Sequence, residues 1–142
     1  MSAGRTVSSR PLLEATVAVV EDDPAARRAL TRMLRAHGLR VASFSAAEEL
    51  LQAYEATQPG CLVLDVMLPG MSGPDLVETL RAERHLPPVI FVTGRIDAPQ
   101  TLKQRGLGNI PCLQKPFEPA LLVQAVSRAL EETARPKVKG RV

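Results

Sequence analysis

Residues 16–24, TVAVVEDDP, decide the fold of this chain. The apolar run Thr16–Val20 has the length of a buried β-strand, and three acidic residues follow it directly. Asp23 is a good N-cap for a helix, and proline, here Pro24, is favoured at a first helical position. The stretch therefore predicts a buried strand, a carboxylate-rich junction and a helix.

The same strand–helix unit recurs downstream. Apolar runs typical of strands lie at 41–44, 61–66, 89–92 and 110–113, and stretches with the apolar spacing of helices follow them, although 95–107 has weak periodicity. Ser45 and Glu48 have the spacing of a capping box, which predicts that Glu48 caps the second helix. Pro111 in the last run fits an edge strand. We expect an α/β fold: a doubly wound, five-stranded parallel sheet with five helices on its two faces.

Composition fits one globular domain. The 142 residues are 45% hydrophobic and 23% charged, so we place a single domain at 15–134, between a flexible leader at 1–14 and a basic tail at 135–142. A net charge of +3 and only four aromatic rings (three Phe, one Tyr, no Trp) give little reason to expect direct nucleic-acid binding. No apolar run is long enough for a signal peptide or a membrane span, so we expect a cytoplasmic protein without membrane contact. Cys61 and Cys112 are expected to be reduced thiols.

Five polar residues follow the predicted strands. Glu21 and Asp22 follow the first, Asp65 ends the third, Thr93 the fourth, and Lys115 follows the fifth. The carboxyl ends of parallel strands lie at one edge of the sheet, where ligands bind in such folds. Three carboxylates there would repel one another unless a cation bound, and hard oxygen ligands suit Mg²⁺. The lysine can pair with a carboxylate or a phosphoryl group, and the threonine supplies a hydroxyl donor.

Each residue alone has a plainer explanation. The acidic cluster could merely favour a helix N-terminus, worth about 0.3–1 kcal/mol per charge. Lys115 alone would be a surface lysine and Thr93 an ordinary strand-end residue. Asp65 is harder to explain in this way, because it interrupts the apolar stretch CLVLDVML, where a buried carboxylate costs stability unless it is paired. The combination of residues therefore indicates a functional site.

Four motifs occur in order: VVEDDP at 19–24, LDVMLPGMSG at 64–73, PVIFVTG at 88–94 and QKPF at 114–117. Together they resemble the receiver domains of two-component response regulators, the CheY-like superfamily, over residues 15–134. The resemblance implies the flavodoxin-like (βα)5 receiver fold. It is specific because four separate motifs agree in order and each lies at a strand end.

The resemblance implies a role for each matching residue. Asp65 would be the phosphoacceptor, Lys115 would hold a phosphoryl oxygen, and Thr93 would be the switch hydroxyl. The ligands implied for Mg²⁺ are Glu21, Asp22, which is expected to contact the ion directly, Asp65 and the backbone carbonyl of Met67. Such a domain is a signalling phosphoacceptor rather than an enzyme, although it takes part in its own phosphorylation and slow dephosphorylation.

The implied partners are proteins. A sensor histidine kinase or a phosphotransfer protein would donate the phosphoryl group, and a downstream protein, or a second copy of the chain, would recognise the phosphorylated state. Four arginines on the first helix are candidates for kinase docking, although a solvated helix face explains them better: Arg27, Arg28, Arg32 and Arg35.

The chain departs from the receiver pattern at one position, and three alternative functions stay open. Cys112 occupies the position where receivers commonly carry a Tyr or Phe that couples to the switch threonine, so the output route is in question. A pseudo-receiver that binds a partner without phosphorylation is opposed by the complete acidic and lysine set. A dehalogenase-type phosphohydrolase would need a second aspartate where this chain has Met67. A receiver belonging to a DNA-binding transcription regulator remains an alternative.

Overall fold

The computed structural model describes residues 15–83 and 85–134. The predictions of a leader at 1–14 and a basic tail at 135–142 therefore fall outside the described residues. None of the helices within the described ranges is both long and apolar enough to cross a membrane.

Five strands alternate with helices along the chain. The strands are β1 (Thr16–Val20), β2 (Arg40–Phe44), β3 (Pro59–Asp65), β4 (Val89–Thr93) and β5 (Cys112–Gln114), and the helices are α1 (Pro24–Ala36), α2 (Ala47–Gln52), α3 (Tyr54–Thr57), α4 (Gly73–Glu83), α5 (Ala98–Gln104) and α6 (Pro119–Ala134). The strands form one parallel sheet in the order β2-β1-β3-β4-β5. The predicted doubly wound fold is confirmed.

Alternate strand residues face two separate apolar layers. On one face, Val17, Val19 and their neighbours pack against leucines of α1 and α6. On the other face, Ala18, Val20 and Phe91 pack against α2, α4 and α5. The three central strands, β1, β3 and β4, are buried on both sides, which explains their continuous rather than alternating apolar sequence.

Three local predictions were wrong in detail. The second helix is two segments, because the chain turns at Ala53 between α2 and α3. The strand β5 has three residues and begins after Pro111, which lacks the N–H that a ladder requires and offers only its carbonyl, to the N–H of Phe91. The helix expected within 95–107 is confined to Ala98–Gln104.

The capping prediction for α2 was wrong. The helix starts one residue later than expected, with Ala46 at the N-cap position. The residue three positions beyond that cap is Glu49, whose carboxylate accepts hydrogen bonds from the backbone N–H and the hydroxyl of Ser45, each at 2.9 Å. Glu48 instead contacts another part of the chain.

Candidate functional site

The polar residues predicted from the strand ends lie at one edge of the sheet. Val20 pairs with Leu64, and Asp65 pairs with Val92, so the residues that follow these positions lie at a common level. Thr93 pairs with Gln114, which places the next residue, Lys115, at the same edge.

Three carboxylates converge there. One carboxylate oxygen from each of Glu21, Asp22 and Asp65 lies within 4.8 Å of the other two. The side chains of Glu21 and Asp65 are buried, whereas Asp22 is exposed. Two buried carboxylates beside a third are costly without positive charge nearby.

Lys115 supplies part of that charge. Its Nζ donates a hydrogen bond to Oε1 of Glu21 at 2.6 Å and lies 3.5 Å from Oδ2 of Asp65. Burial alone would lower the pKa of Lys115, but the hydrogen bond to Glu21 and the charge of Asp65 outweigh it and raise that pKa. The lysine is therefore held as a cation between two acids, and Glu21 is its closer partner.

Asp65 has a strongly shifted acidity. Burial raises the pKa of its carboxyl group from the ordinary 3.8 to about 6, and the negative charge of Glu21 acts in the same direction. A hydrogen bond from the backbone N–H of Met67 to Oδ1, at 3.0 Å, and the charge of Lys115 oppose this rise. One positive charge thus leaves the acidic cluster incompletely compensated.

The segment after β3 is tied closely to Asp65. The N–H of Gly73, at the start of α4, donates to the carbonyl of Val66, and a Cβ on that glycine would collide with the backbone oxygen of Asp65. This close approach requires glycine and folds the segment 66–72 back over the end of the strand. Met67, in that segment, has a half-exposed side chain.

Thr93 is fully buried at the end of β4. Its Oγ1 accepts a hydrogen bond from the backbone N–H of Arg95 at 3.0 Å, and its carbonyl accepts one from the N–H of Lys115 at 2.7 Å. The threonine thereby links the loop after β4 with the lysine segment.

Two residues that the sequence did not indicate also contribute to the site. Arg27, which was considered for kinase docking, donates from one guanidinium nitrogen to the carbonyls of Glu21, at 2.8 Å, and of Asp22, at 3.4 Å. It fixes the backbone that carries both acids, and its position one turn into α1 is the only sequence signal for this. Glu48 bonds to the N–H of Met71, a contact between residues 23 positions apart that no local pattern indicates.

Cys112, at the position where an aromatic ring was expected, is half-buried and packs against the apolar layer that contains Phe91. Burial raises the pKa of its thiol. Cys61 is fully buried, and burial raises its thiol pKa to about 12. Both are free thiols, and their raised pKa values make them poor nucleophiles.

The donor set fits a hard divalent cation. Three carboxylates offer oxygen ligands within a few ångströms, and the exposed Asp22 leaves the cluster open to solvent on one side. Mg²⁺ prefers such oxygen ligands and keeps several of its waters, so an open cluster with few protein ligands suits it. Such a cation would also offset the charge that Lys115 leaves unbalanced.

Known proteins are similar to this chain in sequence. Residues 17–127 match the family described as "Response regulator receiver domain". The chain is 44% identical over 119 residues to nodulation protein W of Bradyrhizobium diazoefficiens, covering 83% of this chain and 52% of that protein. It is 36% identical to the transcriptional regulatory protein FixJ of Azorhizobium caulinodans, covering 83% and 56%. The chain therefore spans about half the length of these curated relatives.

A solved structure shows the same arrangement of strands and helices. The receiver domain of DrrB, described as activated by BeF3, superposes with a TM-score of 0.71 at 33% identity. The match covers 83% of this chain and 98% of that one, so it extends over a whole receiver domain.

Proposed function

The chain belongs to the response regulator receiver domain family, and we propose that it accepts a phosphoryl group on Asp65 from a sensor histidine kinase or a phosphotransfer protein in the cytoplasm. A receiver is a signalling module and not a classical enzyme. The observation that carries the proposal is the convergence of the buried Asp65 with Glu21, Asp22 and Lys115 at one sheet edge. We take 15–134 as the domain that carries this function.

The reaction is an in-line displacement at phosphorus. A carboxylate oxygen of Asp65 forms a bond to phosphorus, while the bond from phosphorus to the donor's nitrogen or oxygen breaks and the donor keeps the electron pair. Bound Mg²⁺, which Glu21, Asp22, Asp65 and the carbonyl of Met67 would hold, supplies positive charge for the phosphoryl oxygens. The product is an acyl phosphate, whose slow hydrolysis returns the domain to its first state.

Lys115 and Thr93 are proposed to respond to that product. Phosphorylation adds about −1.5 to −2 charges at the sheet edge. The ammonium of Lys115, 3.5 Å from Asp65, would then pair with a phosphoryl oxygen. The hydroxyl of Thr93, which now accepts from the N–H of Arg95, would donate to another oxygen, and the loop after β4 would repack. That change would alter the surface offered to a downstream protein or to a second copy.

A second role has support from the relatives. FixJ of Azorhizobium caulinodans is a transcriptional regulatory protein, and this chain matches about half of it. We propose as the alternative that this receiver controls a DNA-binding domain to which it is joined. The present residues themselves are not expected to bind DNA.

The function is tested with a small phosphodonor such as acetyl phosphate. With Mg²⁺, intact-protein mass spectrometry should show one added phosphoryl group, and chelating the metal should prevent it. Asp22→Asn should weaken Mg²⁺ binding by about tenfold or more, because a charged ligand is lost.

Asp23→Asn is the matched control. It removes the same charge one residue away, and Asn caps a helix as well as Asp does. Phosphorylation of that variant should be unchanged. Phosphorylation that needs no metal, or an equal loss of Mg²⁺ binding in Asp22→Asn and Asp23→Asn, would contradict the assignment of the acidic cluster as the metal site.

The structure divides the arginines proposed for kinase docking. Arg27 and Arg35 bond to backbone carbonyls, whereas Arg28 and Arg32 are exposed on α1. Reversing both exposed charges, in Arg28→Glu/Arg32→Glu, should slow transfer from the kinase that phosphorylates the wild type fastest by about tenfold at low salt. Phosphorylation by acetyl phosphate should stay the same.

The control is Arg40→Glu/Arg81→Glu, which makes the same charge change at exposed positions outside α1. It should leave both reactions unaffected. Equal slowing of kinase transfer in the two double variants would assign the effect to overall charge and not to docking.

A further inference from the structure

Glu48 connects α2 to the segment that follows the proposed phosphoacceptor. Its Oε2 accepts a hydrogen bond from the backbone N–H of Met71 at 3.0 Å, across 23 residues of sequence. The adjacent Glu49 bonds to Ser45, just before α2, whereas Glu48 bonds to Met71. Its carboxylate is committed to the segment 67–71.

That segment is fixed at three points. At its start, the N–H of Met67 bonds to Oδ1 of Asp65. In its middle, Leu68 is buried in the apolar layer. At its end, the N–H of Met71 bonds to Glu48. Among the described residues, the bond to Glu48 attaches this segment through a polar side chain from outside β3 and the segment itself.

The absence of a side chain at Gly70 makes room for the carboxylate of Glu48. Its φ of +73° lies in the left-handed region that favours glycine. A Cβ built at this position would lie 2.8 Å from Oε2 of Glu48, too close for a carbon beside that oxygen. The backbone of the segment and the carboxylate therefore pack directly against each other, and a side chain at Gly70 would displace the carboxylate.

We propose that Glu48 is a positioning residue for the segment 67–71, and through it for Mg²⁺ binding. The inference rests on the proposed function, in which the carbonyl of Met67 is a metal ligand. Mg²⁺ demands near-ideal octahedral geometry, so a ligand on a loosely held segment binds it more weakly. Because Glu48 is exposed, its loss should loosen the segment while changing global stability little.

Three variants test the proposal. Glu48→Ala removes the acceptor, Glu48→Gln keeps an amide oxygen that can accept the same hydrogen bond, and Glu49→Gln removes an equal charge from the same helical turn while keeping an oxygen for Ser45. Calorimetric titration with Mg²⁺ should show affinity about three- to tenfold weaker for Glu48→Ala, the value of one hydrogen bond. Glu48→Gln and Glu49→Gln should stay within about twofold of wild type, because each keeps an acceptor oxygen and exposed charges contribute little.

Amide hydrogen exchange without metal gives an independent readout. The N–H of Met71 should exchange faster in Glu48→Ala than in wild type, and protection should return in Glu48→Gln. Gly70→Ala should act in the same direction, because its Cβ would displace the carboxylate and because alanine is strained at a φ of +73°.

The outcomes separate the inference from the function beneath it. If wild type binds no Mg²⁺, the proposed function fails. If wild type binds Mg²⁺ and Glu48→Ala binds it equally, the positioning role is overturned. If Glu48→Gln is as weak as Glu48→Ala, the effect is one of charge, and the hydrogen bond is not its cause.

Discussion

Replacing Asp65 with Asn is expected to reduce phosphoryl incorporation from acetyl phosphate and Mg²⁺ by more than about a hundredfold, because the nucleophile of the reaction is lost. Asn is nearly the same size, and its amide oxygen can still accept from the N–H of Met67, so the fold should be kept. The measurement is the fraction of protein carrying one added phosphoryl group, by intact-protein mass spectrometry. Hydroxylamine should remove the label from wild type, since acyl phosphates are labile to it and phosphate esters of Ser or Thr are not.

The matched control is Asp97→Asn. Asp97 is an exposed aspartate paired with Arg95 next to the loop after β4, outside the acidic cluster. This variant should be labelled like wild type. Equal labelling in Asp65→Asn, or a label that resists hydroxylamine, would show that another residue is the phosphoacceptor.

The position of the site followed from the sequence because it depends on topology alone. A parallel sheet brings the ends of all strands to one edge, so strand bounds accurate to one or two residues were enough to group Asp65 with Glu21 and Lys115. The spacing of apolar residues determined those bounds well for β1, β3 and β4, since each of these strands is a continuous buried run.

Contacts that depend on side-chain direction could not be predicted in this way. Whether Glu48 or Glu49 bonds to Ser45 depended on a one-residue shift in the helix start, which local propensity does not resolve. Glu21 is the nearer partner of Lys115 although the two residues are 94 positions apart in the sequence. Packing at the sheet edge decides this contact. The sequence also did not predict that Arg27, which was considered for kinase docking, bonds to backbone carbonyls, because that contact depends on the direction of its side chain.

Asp65→Asn should also stabilise the metal-free protein at neutral pH. The pKa of Asp65 is raised in the folded state from 3.8 to about 6, first by burial and then by the charge of Glu21. A raised folded pKa means that the folded state holds the proton more tightly than the unfolded chain. The stability contributed by protonated Asp65 is thus fully present below about pH 4 and is lost as the pH rises through about 6.

Asn mimics the neutral carboxyl at every pH. In urea unfolding with a chelator present, the free energy of unfolding of Asp65→Asn should exceed that of wild type by about 1–3 kcal/mol at pH 7.5. The difference should shrink between pH 6 and pH 4 and vanish below that. Asp97→Asn should show no such gain, because its pairing with Arg95 lowers the pKa of Asp97. A difference that does not change with pH would mean that ionised Asp65 is not what costs stability, and that the cluster is better compensated than its single lysine indicates.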